Sequence, residues 1–318
     1  MPWPAISHES RAAILKGKCR SASHEGAPMS VTMAVAHPLL EVSGVSKVFR
    51  RGGIFSRDRV TAVGDVSLQL PADPSICAIV GESGSGKTTL ARMVLRLVEP
   101  SAGRIRLDGR NISGGDTVRL PDLDFRRMVQ PIFQNPFEAY SIHLTVDFYL
   151  YRTAINLGQA TDEESARPVV DEALRSVGLG LDRVSGKYVQ QFSGGELQRI
   201  AIARALIPKP RLIVADEPVS MVDASLRMTI VNLFHEIRKT LGISFVYITH
   251  DLSTAYYVAD QIVIMSQGQI VERGEPGKLM AAPEHKFTRT LIESMPQIGV
   301  RWPELALPEE LLISQPQP

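Results

Sequence analysis

Gly81-Glu82-Ser83-Gly84-Ser85-Gly86-Lys87-Thr88-Thr89 is the stretch on which the reading of this chain turns. It matches the phosphate-loop pattern G-x-x-x-x-G-K-[ST], and its flanks are those the pattern requires. The apolar run Ile76 to Val80 leads into it and the apolar-periodic stretch Leu90 to Leu97 leaves it, which predicts strand, loop and helix. Glycines let successive backbone amides turn toward a phosphate, the helix beginning near Gly86 adds the positive end of its dipole, and Lys87 adds a point charge. Thr88 is placed to offer its hydroxyl to Mg²⁺. A glycine-rich turn between strand and helix can be a connection and nothing more, but the whole pattern in this setting reads as a nucleotide-phosphate site.

A second stretch decides what kind of nucleotide protein this is. Phe192-Ser193-Gly194-Gly195-Glu196-Leu197-Gln198-Arg199 opens a helical segment through Leu206, and Arg211-Leu212-Ile213-Val214-Ala215-Asp216-Glu217-Pro218 follows. Apolar residues ending in a carboxylate pair describe a buried parallel strand whose C-terminal tip carries the acids. A carboxylate beside a metal-binding acid at such a tip can take a proton from an attacking water, which makes Glu217 the candidate general base. Its bland reading is a capping or solvated acid. Phe245 to Thr249 is another buried strand, and His250 stands at its tip, followed by Asp251. A lone histidine is more often structural, and only this placement argues otherwise. Ser193 with the glycine amides at a helix start suits an anion, and is also a plain N-cap; the two roles are compatible.

With these motifs in this order, the chain resembles the nucleotide-binding subunits of ABC transporters over about residues 39 to 295. The resemblance makes Ser193-Gly194-Gly195 the signature, Asp216 and Glu217 the Walker B acids, Ser220 to Asp223 the D-loop, and His250 the switch histidine. It further implies that ATP and Mg²⁺ are bound, with Thr88 and Gln134 contacting the metal and Asp216 holding it through its water shell. Glu217, His250 and Gln134 are then the catalytic set. Ser193, Gly194, Gly195 and Asp223 would meet the ATP of a facing cassette, a copy or a paralogue, in a head-to-tail dimer with composite sites. Glu196 stands where the family usually has Gln, and Phe192 where it often has Leu. Adenine stacking falls to Phe49, with Phe55 as the alternative, and either ring can instead be core.

The expected fold is α/β: a P-loop ATPase core with a mixed sheet, an antiparallel β subdomain and an inserted helical subdomain. Residues 39–275 form the ATP-binding domain, residues 1–38 a disordered leader, and residues 276–318 an extension with a tail. Two apolar-alternating segments from Leu39 to Leu70 and the Gly103 to Gly109 strand and turn build the antiparallel part. Helical patterning over about 137–191, clearest from Asp162 to Val177, is the insertion directly after Gln134. Leu226 to Leu241 reads as helix, Ile243 to Thr249 as strand, and Gln261 to Glu272 as two strands joined at Gly268.

Composition agrees. The chain has 318 residues, 44% hydrophobic and 22% charged, enough for a large core. A net charge of +1 offers no bulk attraction for nucleic acid, and no nucleic-acid partner is expected. Cys19 and Cys77 lie too far apart in sequence to suggest a metal motif or a disulfide framework. No run approaches the ~18 to 20 apolar residues of a membrane span, so membrane association must come through another protein. The resemblance supplies it: two transmembrane permease subunits, served indirectly by an extracytoplasmic substrate-binding protein, at the cytoplasmic face of a bacterial or archaeal membrane.

Pro283 to Thr288, with Leu291 and Met295-Pro296, is similar to the C-terminal region of oligopeptide and dipeptide importer ATPases, as is Gln134-Asn135-Pro136. Lys286 and Phe287 replace the usual pair, and relatives in that branch carry nickel or oligosaccharides. Phe137 to Leu157 departs most from the branch pattern, and there a membrane partner is expected to dock; Tyr140, Phe148, Tyr149 and Tyr151 are either that groove or core. A P-loop kinase is excluded by Ser193-Gly194-Gly195. A soluble ABC ATPase of repair or translation would carry a long coiled coil or a second cassette, and neither pattern occurs in this chain.

Overall fold

The computed structural model describes residues 37–50, 59–114 and 118–295. Most of the expected leader, Phe55 and the tail after residue 295 lie outside them. Strands β1 (Leu40–Arg50) and β2 (Arg59–Leu70) pair antiparallel, β3 (Ile76–Val80) runs into the phosphate loop, and α1 (Lys87–Val94) leaves it. Next come β4 (Ala102–Leu107), β5 (Arg110–Ser113), α2 (Asp122–Met128) and β6 (Val129–Ile132). Helices α3 (Val146–Asn156), α4 (Glu163–Arg175), α5 (Leu181–Val184) and α6 (Gly194–Leu206) follow. Then β7 (Leu212–Asp216), α7 (Ala224–Leu241), β8 (Ser244–Thr249) and α8 (Leu252–Val258) alternate. The last elements are β9 (Gln261–Ser266), β10 (Gln269–Gly274), α9 (Pro276–Ala281) and α10 (Lys286–Glu293).

Two sheets result, a four-stranded one ordered β2-β1-β4-β5 and a six-stranded one ordered β10-β9-β3-β8-β7-β6. In the larger sheet β9, β3, β8, β7 and β6 run parallel, and β10 closes the edge antiparallel. Strand alternation sends Ile76, Ala78 and Val80 to one side, with Phe245 and Tyr247, against the helices. Cys77 and Ile79 point the other way, with Val246 and Ile248, toward α1 and the smaller sheet. Both faces are covered, which is why these strands read as unbroken apolar runs. Each large side chain so buried contributes about 1.5–3 kcal/mol. Burial also pushes the Cys77 thiol up to about 12, leaving it an inert core group.

Register decides where the chemistry goes. Val80 pairs with Thr249 and Asp216 with Ile248, so the C-terminal tips of β3, β8 and β7 lie side by side. Residues that follow those tips are thereby neighbours in space although far apart in sequence.

The helices after β6 pack on one another around Val146, Leu150, Ala154, Ala166, Val170, Leu174, Leu197 and Ile200. Asp162 starts α4 with a capping box, its Oδ1 accepting from Ser165 N at 2.8 Å. Tyr140 and Tyr151, each 6% exposed, belong to this core, and Tyr149 meets the Tyr140 ring edge-on at 5.2 Å. Of the two readings of the aromatic stripe, burial takes core for Tyr140 and Tyr151, whose rings join the apolar cluster that includes α3, α4 and α6. Glu272 of β10 accepts Glu284 N at 2.9 Å and His285 N at 3.0 Å, and so fastens α10 to the edge of the larger sheet.

Candidate functional site

The phosphate loop is clamped from both sides. A Cβ on Gly81 would collide with the Met265 carbonyl of β9, and one on Gly86, whose φ is +101°, would collide with the Ala62 carbonyl of β2. Only glycine satisfies either position. Ser85 N donates to the Glu82 carbonyl at 3.2 Å, and Leu90 N to the Gly86 carbonyl at 2.9 Å, closing the turn and starting α1. Lys87 is 5% exposed, and its Nζ donates to the Gly81 and Glu82 carbonyls, each at 2.7 Å, and to Ser85 Oγ at 3.3 Å. Burial lowers its pKa, against the opposing pull of Glu217, Asp216 and Glu82. Ser83, Gly84 and Thr88 face solvent, and Thr89 is half-buried.

The acids meet this loop at the tip of β7. Thr88 Oγ1 donates to Asp216 Oδ1 at 3.3 Å across the adjoining strand ends. Burial raises the Asp216 pKa; the Thr88 hydrogen bond opposes it, and Glu217 adds repulsion. Glu217 leaves the strand with φ +47°, a conformation costly for a side chain with a Cβ. Its N–H donates to the Ile248 carbonyl of β8 at 2.9 Å, while its own carbonyl accepts Ser220 Oγ at 2.9 Å. The turn is fixed at both ends. Its Oε2 accepts from Gln134 Nε2 at 3.3 Å and lies 3.2 Å from His250 Nδ1. Gln134 comes from the end of β6 and His250 from the end of β8, so three separate segments converge on one carboxylate.

Ser193 and Glu196 form a second capping box at the start of α6. Ser193 Oγ accepts from Glu196 N at 3.2 Å, and Glu196 Oε2 accepts from Ser193 N at 3.0 Å. Among the described residues no hydrogen bond joins Ser193 to the phosphate loop. Gly194 and Gly195 instead pack near Met221 and Leu226: a Cβ would lie 3.4 Å from the Met221 carbonyl and 2.8 Å from Leu226 Cδ1 respectively. Asp223 precedes α7 exposed, and its side chain makes no capping bond. Phe49, 42% exposed at the end of β1, has Lys47 Nζ 5.2 Å from its ring centre.

Sequence motifs identified Lys87, Asp216, Glu217, Gln134 and His250, and the fold brings these together. Motifs did not identify Ala62, Ile248 and Met265, whose backbone groups shape the loop and the Glu217 turn. No sequence signal exists for them, since any side chain offers the same carbonyl.

An α/β protein that gathers a phosphate loop and two carboxylates at adjoining strand tips is built to bind a nucleotide. The ABC transporter family model matches residues 63–220. AmiF, an oligopeptide transport ATP-binding protein of Streptococcus pneumoniae, is 38% identical over 69% of this chain and 70% of its own. SapF of Escherichia coli, a putrescine export system ATP-binding protein, is 37% identical over 80% of this chain and 92% of its own. Among solved structures, the dimeric ATP-binding cassette MJ0796 in a post-hydrolysis state bound to ADP and Pi matches with a TM-score of 0.64 and 25% identity, over 74% of this chain and 98% of that one. The chain belongs to the ABC transporter family, as an ATP-binding subunit and ATPase. No helix among the described residues is long and apolar enough to cross a membrane.

Proposed function

We propose that this chain powers a peptide importer by hydrolysing ATP between two cassettes. The observation that carries the catalytic reading is the meeting of Gln134 and His250 on the Glu217 carboxylate, beside the Lys87 loop. Lys87 and the loop amides hold the phosphates; Glu217 takes the proton of the attacking water at its carboxylate; His250 offers its N–H to that carboxylate or, once ATP is bound, to the terminal phosphate. Gln134 donates to the same oxygen through Nε2, which leaves its Oε1 as the atom to face a metal. Thr88, Asp216 and Gln134 are a hard oxygen set that suits Mg²⁺, and the 3.3 Å contact of Thr88 with Asp216 keeps two of its members together. When bound, Mg²⁺ neutralises phosphate charge.

Ser193, Gly195 and Asp223 act on the ATP of the facing cassette, a reading supported by the exposure of Met221 and Asp223 in the D-loop and by the dimeric state of the MJ0796 cassette. Phe49, exposed ahead of the loop, stacks on adenine. The ATP-binding domain spans 39–275 with helical insertion 137–191, and 276–318 is an extension. Two permease subunits dock on a groove of about 470 Å³ lined by Leu97, Phe133, Asn156 and Leu157 at the boundary of core and insertion, where Leu97 and Phe133 stand 58% and 46% exposed. In this reading the subunit works at the cytoplasmic membrane face, with an extracytoplasmic binding protein delivering cargo.

The putrescine export system to which the SapF relative belongs favours a second reading, the same ATPase driving putrescine export. The complex reconstituted in vesicles decides between them. ATP hydrolysis stimulated by a peptide-loaded binding protein supports import; stimulation by putrescine on the ATPase side, and by no peptide, supports export.

A further inference from the structure

The signature carries an acid, Glu196, and both of its oxygens are engaged. Oε2 accepts Ser193 N at 3.0 Å and Ser193 Oγ at 3.1 Å. Oε1 accepts Arg183 Nε at 3.0 Å and Nη2 at 2.8 Å, from the short helix α5. A serine hydroxyl has one proton, and here it is given to Glu196. Any phosphate oxygen that takes this proton competes with a carboxylate, and a triphosphate brought to the start of α6 meets a fixed negative charge. A neutral Gln at this position would bring no negative charge, and its amide oxygen would compete less strongly for the proton.

We propose that Arg183 is a positioning residue of the signature: it neutralises Glu196 and, by drawing on the far oxygen, lets the Ser193 hydroxyl turn to the triphosphate of the facing cassette. This rests on the composite-site reading above. The guanidinium is the planar donor fork suited to hold a carboxylate while leaving its second oxygen to another partner. The carboxylate is well ionised, since Ser193 N and then Arg183 hold its pKa at about 2, so its charge is present at every working pH. Arg183 and Glu196 come from separate elements, so the pair also sets where α5 lies against α6; the test must separate charge from tether.

A double-mutant cycle does so. ATP turnover of the complex with its partner cassette and permease is measured for Arg183→Ala, Glu196→Gln and the double variant, beside nucleotide affinity and melting temperature of the isolated chain. Removing Arg183 while Glu196 is present is expected to lower turnover about tenfold, as an unpaired charge at an interface does. Affinity of the isolated chain for ATP stays unchanged. In a Glu196→Gln background the same removal costs less than about twofold, because no charge is left to neutralise. Equal losses in both backgrounds mean a mechanical tether and overturn the proposal, as does unchanged turnover in Arg183→Ala. Turnover of the native protein that is linear in subunit concentration down to dilution of the pair refutes the composite site, and this inference with it; cooperative turnover with no coupling in the cycle refutes this inference alone.

Discussion

The strand-tip site and the helical insertion are held by opposite means. At the tips of β3, β7 and β8 the side chains are polar and their places are fixed by backbone register and hydrogen bonds, as in the Ile248 carbonyl that accepts Glu217 N at 2.9 Å. In the insertion, α3 and α4 are held, together with α6 that follows it, by the apolar and aromatic filling to which Tyr140 and Tyr151 belong. Changes at the tips should therefore alter chemistry with little loss of stability, and changes inside the insertion should do the reverse.

Glu217→Gln tests the first half most severely. Turnover should fall by ~10² to 10⁴ while ATP affinity and melting temperature hold; a variant that turns over at the native rate ends the assignment of the base. Size-exclusion chromatography with light scattering should then find an ATP-bound dimer, if the chain pairs with itself. Lys87→Ala should weaken ATP binding about a hundredfold, the consequence of removing a buried charge from its anion. Equilibrium binding of a fluorescent ATP analogue measures it, and unchanged affinity would remove the phosphate-site reading.

The second half is tested by a pair of substitutions. Tyr140→Asp places a charge in the insertion core and should cost about 3 kcal/mol or more by chemical denaturation. Leu97→Asp, on the exposed groove, should leave stability within about 0.5 kcal/mol and reduce recovery of the permease complex instead. If Tyr140→Asp melts normally and loses the complex, the contrast between the two regions is wrong.

The smallest effect concerns pH. With its folded pKa drawn from 4.5 to about 2, Glu196 stabilises the native state fully above about pH 4.5, and that contribution is lost as pH falls toward 2. A Glu196→Gln variant should melt with a flatter acid limb across that window, and no change in slope would show that the capping pair is energetically idle.

Legibility followed the same division. Apolar runs ending in Val80, Asp216 and Thr249 disclosed the buried parallel strands, because a strand covered on both faces must be apolar throughout. Helix α4 was placed to within two residues by Asp162 and its periodicity, as local capping chemistry allows. The aromatic stripe after Gln134 was open between groove and core, since a helical period gives the apolar face but not what covers it.

By itself, then, the sequence determined the phosphate loop, the acids at a strand tip, the signature and the order of strands and helices, because each is written in contiguous residues whose local physics is self-contained. Only the tertiary structure decided that Gln134, Glu217 and His250 share one oxygen, that Tyr140 and Tyr151 are core, that backbone carbonyls of Ala62 and Met265 close on the loop, and that Arg183 meets Glu196. Those facts depend on strand order and on packing between distant segments, and neither is carried by any local run of residues.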